Sequence, residues 1–475
     1  MMHAKPLAGL LATLLLSACV STPPTDPQVS QVKTETLGLG DAPMAKVAPD
    51  WWRAFGDPQV DRLAPQVIAQ NPSLAAAMAR LRAAQAQLSV NQAQDMPQVT
   101  LDGSEQRLLF SKDYIIPPPY GGSYRWYGQV LGNFSWNLDF WGKQAALIDK
   151  ARGTAQAAAL DVEAAHLALS GAFAQGYISL LLNYQNGDIA DATVAEREGI
   201  VKITQGRVDA GLENPSALEQ AKALLAIARA EQLRYQAARE TDVHAIAALA
   251  GEGADAYAGI TRPVPDLDAA LPLPTSLPAD LLARRPDILA ARARIDAAMA
   301  GRKAAHAAFY PDINLAAMVG FQAIGLSNLI SSDAFTYGAG PAIHLPIFDA
   351  GKLRAEYAGA TAGLDEAVAD YNGAVVNAIK QVADAMTQVK SLEQQRLRQK
   401  EAVDSAARAF QIAQDRYRSG LSTQLPMLEA ESTLLQARQA LAAATAQSVI
   451  QRITLLLTTG GPFNTPAATH IAKQD

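Results

Sequence analysis

Few side chains in this 475-residue sequence fall in patterns that make or break bonds. The six histidines, His3, His166, His244, His306, His344 and His470, show no metal-ligand spacing. The string "GAGPAIHLP" lacks a full nucleotide fingerprint, and neither a phosphate loop nor a GxSxG string occurs. Isolated Asp and Glu pairs on alanine-rich helices solubilise more often than they catalyse, so no enzyme and no cofactor is expected. The groups with most to offer lie in "DRYRSGLSTQLPMLEA" (Asp415 to Ala430), where Arg416, Tyr417, Arg418 and Glu429 flank a helix break at Gly420. Guanidinium, phenol and carboxylate groups can tie one helix to another through ion pairs and hydrogen bonds. Ordinary surface charge is the competing reading.

The elements that position these groups follow from composition. Hydrophobic residues make up 49% and charged residues 18%, with alanine dominating, which favours long, closely packed helices. A net charge of −6 gives no nucleic-acid surface. At the N-terminus Lys5 precedes an apolar run, Leu7 to Leu16, then Ser17-Ala18-Cys19. That order is a secretion signal, too short for a stable membrane span. "LSAC" resembles the bacterial lipoprotein signal; the resemblance implies removal of residues 1–18 and lipidation of Cys19, and an ordinary signal peptide with a chance cysteine is the alternative. Val20 and Ser21 resemble the outer-membrane sorting pattern. With Cys19 the only cysteine, no intrachain disulfide can form. Residues 19–50, rich in Pro, Thr and Ser, read as a flexible leader.

The chain then says the same thing twice. "NPSLAAAMARLRAAQAQLSVNQAQDMPQV" from Asn71 is echoed by "RPDILAARARIDAAMAGRKAAHAAFYPDI" from Arg285, with Pro72 and Pro97 answering Pro286 and Pro311. The first structural repeat covers 51–260, with a hairpin about 97–141 and a helical hairpin 143–250. The second covers 285–459, with a hairpin about 311–349 and a helical hairpin 352–459. An extended Pro/Leu-rich connector, 261–284, joins them, and 460–475 reads as a flexible tail. Gly142 and Gly351, 209 positions apart (351 − 142), mark the bends from strand to helix, each followed by a lysine that the helix dipole disfavours. Gly211 and Gly420, also 209 apart (420 − 211), mark the helix-to-helix turns. As two widely separated hairpins, four strands leave exposed edges that pairing with other chains would remove.

Strings from Trp51 to about Thr459 resemble the outer-membrane factor family of tripartite efflux systems, specifically its lipoprotein branch. They are "WWRAFGDPQVDRL", "LPADLLARRPDILAARARIDAA", "AAFYPDINL", "IFDAGKLRAE" and "RYRSG". The resemblance implies a mostly α, TolC-like fold with a membrane β-barrel portion. A homotrimer would give four strands per chain to one twelve-stranded barrel in the outer membrane of a Gram-negative bacterium, continued by a long α-helical tunnel through the periplasm. It further implies an exit duct for drugs, solvents or other small toxic compounds. The implied partners are a periplasmic adaptor and an inner-membrane pump of the resistance-nodulation-division type, with outer-membrane lipid around the barrel. The rivals are an exit duct for type I protein or toxin secretion and a non-conducting, lipid-anchored periplasmic scaffold.

By the same resemblance the two turns form the periplasmic tip. Glu429 matches an inward-facing constriction acid, while Pro426 stands where relatives often carry a second acid. Arg416, Tyr417 and Arg418 become candidates for holding the closed state. Gly211, Leu212, Gly420 and Leu421 become adaptor-docking candidates, because glycine admits close backbone approach and the leucines are apolar at an exposed turn. Trp126, Tyr127, Phe134, Trp136, Phe140 and Trp141 read as an interfacial aromatic belt, with packing at the barrel-to-tunnel junction the alternative for the last two. Trp51 and Trp52 are expected to pack an N-terminal segment against the helices.

Overall fold

Asparagine, aspartate and proline fix where the helices begin. Asn71 Oδ1 accepts the Ser73 and Leu74 amides at 2.9 and 3.3 Å ahead of Pro72, and Asn214 Oδ1 accepts the Ser216 amide at 2.9 Å ahead of Pro215. The computed structural model describes residues 25–33, 35, 37–40, 44, 46–113, 115–278 and 280–463. After a 3₁₀ turn (Trp51–Phe55) come helices α1 (Pro58–Gln70) and α2 (Pro72–Gln94) and strands β1 (Gln98–Leu109) and β2 (Tyr124–Asn137). Helices α3 (Lys143–Asp209) and α4 (Pro215–Leu249) complete the first half. The second half holds the one-turn α5 (Leu281–Arg284), α6 (Pro286–Ala307), β3 (Asp312–Ile324), β4 (Phe335–His344), α7 (Lys352–Arg418) and α8 (Gln424–Thr458). The doubling extends to element length: α3 and α7 each have 67 residues, α4 and α8 each 35. At about 1.5 Å per residue the longer pair each run about 100 Å.

The chain divides into two compact units, and neither is one of the sequence repeats. One takes Arg80–Ala158 and Ala290–Asn372 with leader residues up to Gln31; the other takes Val32–Ala79, Ala159–Leu289 and the chain from Gly373 onward. Each unit therefore draws on both halves.

In the first unit the two hairpins are not separate. They form one antiparallel sheet in the order β1-β2-β3-β4, with β2 and β3 paired from Tyr127↔Ile324 to Asn137↔Asn314. This corrects the expectation of two isolated hairpins. Joining them satisfies the backbone along β2 and β3 and leaves only β1 and β4 as open edges. The register sorts the side chains onto two faces. One carries Gln98, Thr100, Asp102, Ser104 and Gln106, opposite Gln129, Asn133 and Ser135, and continues to Asn137, Asn314 and Asp312. The other carries Val99, Leu101, Trp126, Val130, Phe134 and Trp136, continuing to Leu315, Val319, Phe321, Tyr337 and Ile343. A two-faced sheet with apolar side chains left exposed, such as Val99 at 75% and Leu101 at 77%, suits a barrel wall in lipid.

Gly142 (φ +71°) and Gly351 (φ +89°) take the left-handed conformation at the bends into α3 and α7. The lysines that the dipole disfavours are offset by an aspartate just upstream. Asp139 accepts the Ala145 amide at 2.8 Å, and Asp349 accepts those of Gly351 and Leu353 at 2.9 and 2.7 Å. The Leu353 and Gly351 amides hold the Asp349 carboxyl below the usual carboxylate range. Trp141 stacks on Tyr310 with centroids 4.9 Å apart and donates to the Pro311 carbonyl at 2.8 Å, so it packs at this junction.

The leader from Thr25 is tied down, contrary to its flexible reading. Asp365 accepts the Gln28 and Val29 amides at 2.9 and 3.0 Å in the first unit. In the second unit the Leu277 carbonyl accepts the Gly40 amide at 2.8 Å and Asp280 accepts the Met44 amide at 3.1 Å. Composition favoured mobility, but these side-chain and connector acceptors satisfy the backbone.

The core of the second unit packs Trp51, Trp52, Phe55, Leu63 and Val67 against Phe173, Tyr177, Ile178, Ile246, Ile453 and Leu456. Each such side chain, fully buried, contributes about 1.5–3 kcal/mol. Asp57 Oδ2 accepts both the Tyr177 hydroxyl and the Val264 amide at 2.7 Å, pinning the connector to the start of α1. The supposed tail begins packed: Gly460, Gly461 and Phe463 are buried, while residues from 464 lie outside the described residues. Gly320 faces the Val130 carbonyl so closely that an added Cβ would collide with it. Gly320→Val is therefore expected to disrupt the β2–β3 pairing, lowering the strand signal in circular dichroism while sparing the helical one.

Candidate functional site

The two helix-to-helix turns have the same geometry. Gly211 (φ +73°) and Gly420 (φ +75°) occupy the left-handed region. The Leu212 amide returns to the Arg207 carbonyl and the Leu421 amide to the Arg416 carbonyl, both at 2.8 Å. These are Schellman closures, which satisfy the last helical carbonyls and leave the following residue outside. Leu212 and Leu421 are each 69% exposed, so two equivalent apolar knobs project from glycine turns.

Between the turns of the second unit lies a polar knot. Tyr417 is fully buried, its hydroxyl 3.0 Å from Thr204 Oγ1, to which Gln424 Nε2 also donates at 3.3 Å. Arg207 lies over the Tyr417 ring, 5.0 Å from its centroid, and donates to the Tyr417 carbonyl at 3.3 Å. Its Nε sits 3.5 Å from Glu213. The end of α7 is thereby held to the end of α3 within one chain. Arg416 and Arg418 are exposed and make no ion pair among the described residues. Glu429 is exposed on α8, and its backbone carbonyl accepts the Thr433 hydroxyl at 2.9 Å. Cys19 lies outside the described residues. The sequence candidates thus separate: Tyr417 is internal, while Arg416, Arg418 and Glu429 are exposed on the single chain.

Two residues that went unnoticed in the sequence form the most buried ion pair here. Glu431 is 2% exposed, and Arg197 Nε donates to it at 3.0 Å. Arg197 Nη1 also donates to the Leu224 carbonyl at 2.7 Å, so one guanidinium joins α3, α4 and α8. Burial pushes the Glu431 carboxyl up and Arg197 only partly opposes it, with Glu196 adding to the rise. The one sequence signal was Glu431 standing two positions after Glu429, which places it on a different helical face. None of these groups pairs a nucleophile with a base; the arrangement holds helices in register.

A model of the family described as outer membrane efflux protein matches residues 63–252 and 277–461. The chain belongs to this family. It is 34% identical over 367 residues to the fusaric acid resistance protein FusA of Burkholderia cepacia, covering 75% of this chain and 69% of that one. Against the multidrug resistance outer membrane protein MdtP of Escherichia coli it is 29% identical over 464 residues, covering 95% of each. Its fold matches the crystal structure of the outer membrane protein VceC of Vibrio cholerae with a TM-score of 0.82 and 34% identity, covering 88% of this chain and 100% of VceC. The chain is the outer-membrane channel component of a tripartite efflux system of the resistance-nodulation-division type. Channels of this class are passive conduits, and the chain is no enzyme.

Breaking a buried pair from one side leaves an uncompensated charge. Arg197→Met and Glu431→Leu singly are expected to cost about 3–5 kcal/mol each, and the double variant to recover most of that, in denaturation of the detergent-solubilised protein. Since Glu431 titrates above its unfolded value, its contribution is fully present below the unfolded value and is lost as pH rises through the raised one. Glu431→Gln should remove that slope.

Proposed function

We propose that three copies of the chain close a twelve-stranded barrel through their β1 and β4 edges and conduct small toxic organic compounds outward. The observation that carries this reading is the two-faced sheet with its two open edges. Lipid would leave the edge amides and carbonyls unpaired, and closure among copies satisfies them. A non-conducting scaffold has no use for a sheet with one polar face and one apolar face. The cargo class follows the resistance named in FusA and MdtP.

In this reading the glycine turns with Leu212 and Leu421 receive the periplasmic adaptor, and the pump sits beyond it. Arg416, Arg418 and Glu429 lie exposed at the periplasmic mouth, where a threefold set of Glu429 carboxylates would narrow the entrance by attracting cations. Tyr417 acts indirectly, by fixing the end of α7 to α3. Gly142 and Gly351 form the bends between barrel and tunnel. Cys19 carries the lipid that anchors the leader in the outer membrane.

Planar bilayers containing the purified protein should show trimer-dependent conductance, and Glu429→Gln should weaken block by divalent cations several-fold. A monomer without conductance in mild detergent would sink the channel reading. Separately, Cys19→Ala should abolish radiolabelled palmitate incorporation, and unchanged labelling would refute lipidation at that residue.

A further inference from the structure

We propose that Asp102 and Asp312 make the barrel a cation-selective segment in its own right, independent of the periplasmic mouth. The assignment rests on the trimeric-barrel reading above and extends it to the charge of the solute that the barrel favours. Asp102 and Asp312 fall on the polar face, and both are oriented by neighbours on that same face. Asp102 Oδ2 accepts from Asn133 Nδ2 at 2.7 Å and from Thr100 Oγ1 at 3.0 Å. Asp312 Oδ1 accepts from Asn137 Nδ2 at 2.7 Å. The donors that orient both aspartates are neutral, and neither makes an ion pair among the described residues.

The remaining charge on the strands does not offset the pair. Arg125 is the one lysine or arginine of the strands on the polar face, and it sits at the far end, opposite Leu108. It donates to Ser123 Oγ at 3.2 Å and lies 5.7 Å from the Tyr120 ring centroid, so its charge stays at that end of the strands. Glu105 and Arg107 alternate onto the apolar face. His344 pairs in register with Asp312. A cavity of about 830 Å³ that Asp312 and His344 themselves line also holds Lys143, Lys150 and Lys352; Asp139, Asp349 and Glu356 match the three lysines in number, which leaves Asp312 as the unmatched charge. The polar face between Arg125 and the helices therefore carries carboxylates and no lysine or arginine.

Closed among three copies, the face presents two acidic rings at different depths. A unit charge about 10 Å from the pore axis, in water, biases the local cation-to-anion ratio roughly fourfold before screening. The bias shrinks as salt rises and the Debye length falls from about 30 Å at 0.01 M to about 10 Å at 0.1 M. Cationic amphiphiles are the solutes such a segment favours.

The test is reversal-potential measurement in planar bilayers under a KCl gradient near 10 mM, on wild type, Glu429→Gln, the double variant Asp102→Asn/Asp312→Asn, and Asp102→Lys. The expected result is a K⁺/Cl⁻ permeability ratio that largely survives Glu429→Gln, falls at least about threefold in the double variant, and falls further in Asp102→Lys. Trimer formation and single-channel conductance in 1 M KCl, where about 3 Å screening hides the rings, report an intact barrel. A double variant that conducts with the wild-type ratio would overturn the assignment while leaving the channel reading in place. Absence of conductance in the wild type would overturn both.

Discussion

A backbone amide or carbonyl left unpaired in hydrocarbon costs several kcal/mol, and the architecture of this chain follows from that constraint. Four strands cannot close on themselves, so the sequence spends its two hairpins on one continuous sheet and leaves two edges for other copies. The β2–β3 pairing joins segments from opposite halves of the chain. Duplication thus supplies the sheet, and the sheet in turn requires helices α3 and α7 to leave from the same kind of glycine bend. The apolar face needs no protein partner, since lipid is its solvent.

The helices solve a different problem. Alanine gives close approach but little specificity of register, and helices of 67 residues have many ways to slide. Polar contacts at chosen points remove that freedom. Tyr417 against Thr204, and Arg197 against Glu431 and the Leu224 carbonyl, are made at one register only. Burying them adds little net stability, because desolvation offsets much of the attraction. They select an arrangement more than they strengthen it.

Helix starts and glycine turns were legible in the sequence because they rest on local rules, whereas exact strand limits were not. Pro72, Pro215 and Pro286 mark starts, Gly211 and Gly420 mark stops, and the structure keeps all five in those places. What was not legible depends on distant partners. Composition made the leader look mobile, but Asp365 and Asp280, more than 230 positions away, hold its amides. Arg197 and Glu431 are 234 positions apart, and no local pattern announces that they meet. The lysines after Gly142 and Gly351 looked unfavourable until the capping role of Asp139 and Asp349 was seen. The halves, read separately, suggested two hairpins; only the β2–β3 register showed one sheet.

The turn at Gly420 joins an exposed apolar residue to a buried polar contact. The same Schellman closure that ends α7 exposes Leu421, while the residue three positions before the glycine, Tyr417, is fully buried. The closure fixes the spacing between the apolar knob and the anchored helix. Glycine in the left-handed region lets the chain reverse at low backbone cost, and the Thr204–Tyr417–Gln424 contacts place the cost of movement one turn further in. If these turns line the mouth, as proposed above, any widening there must either break those hydrogen bonds or carry α3 and α7 together, and the Arg197–Glu431 pair further along the same hairpins favours their movement as tied pairs.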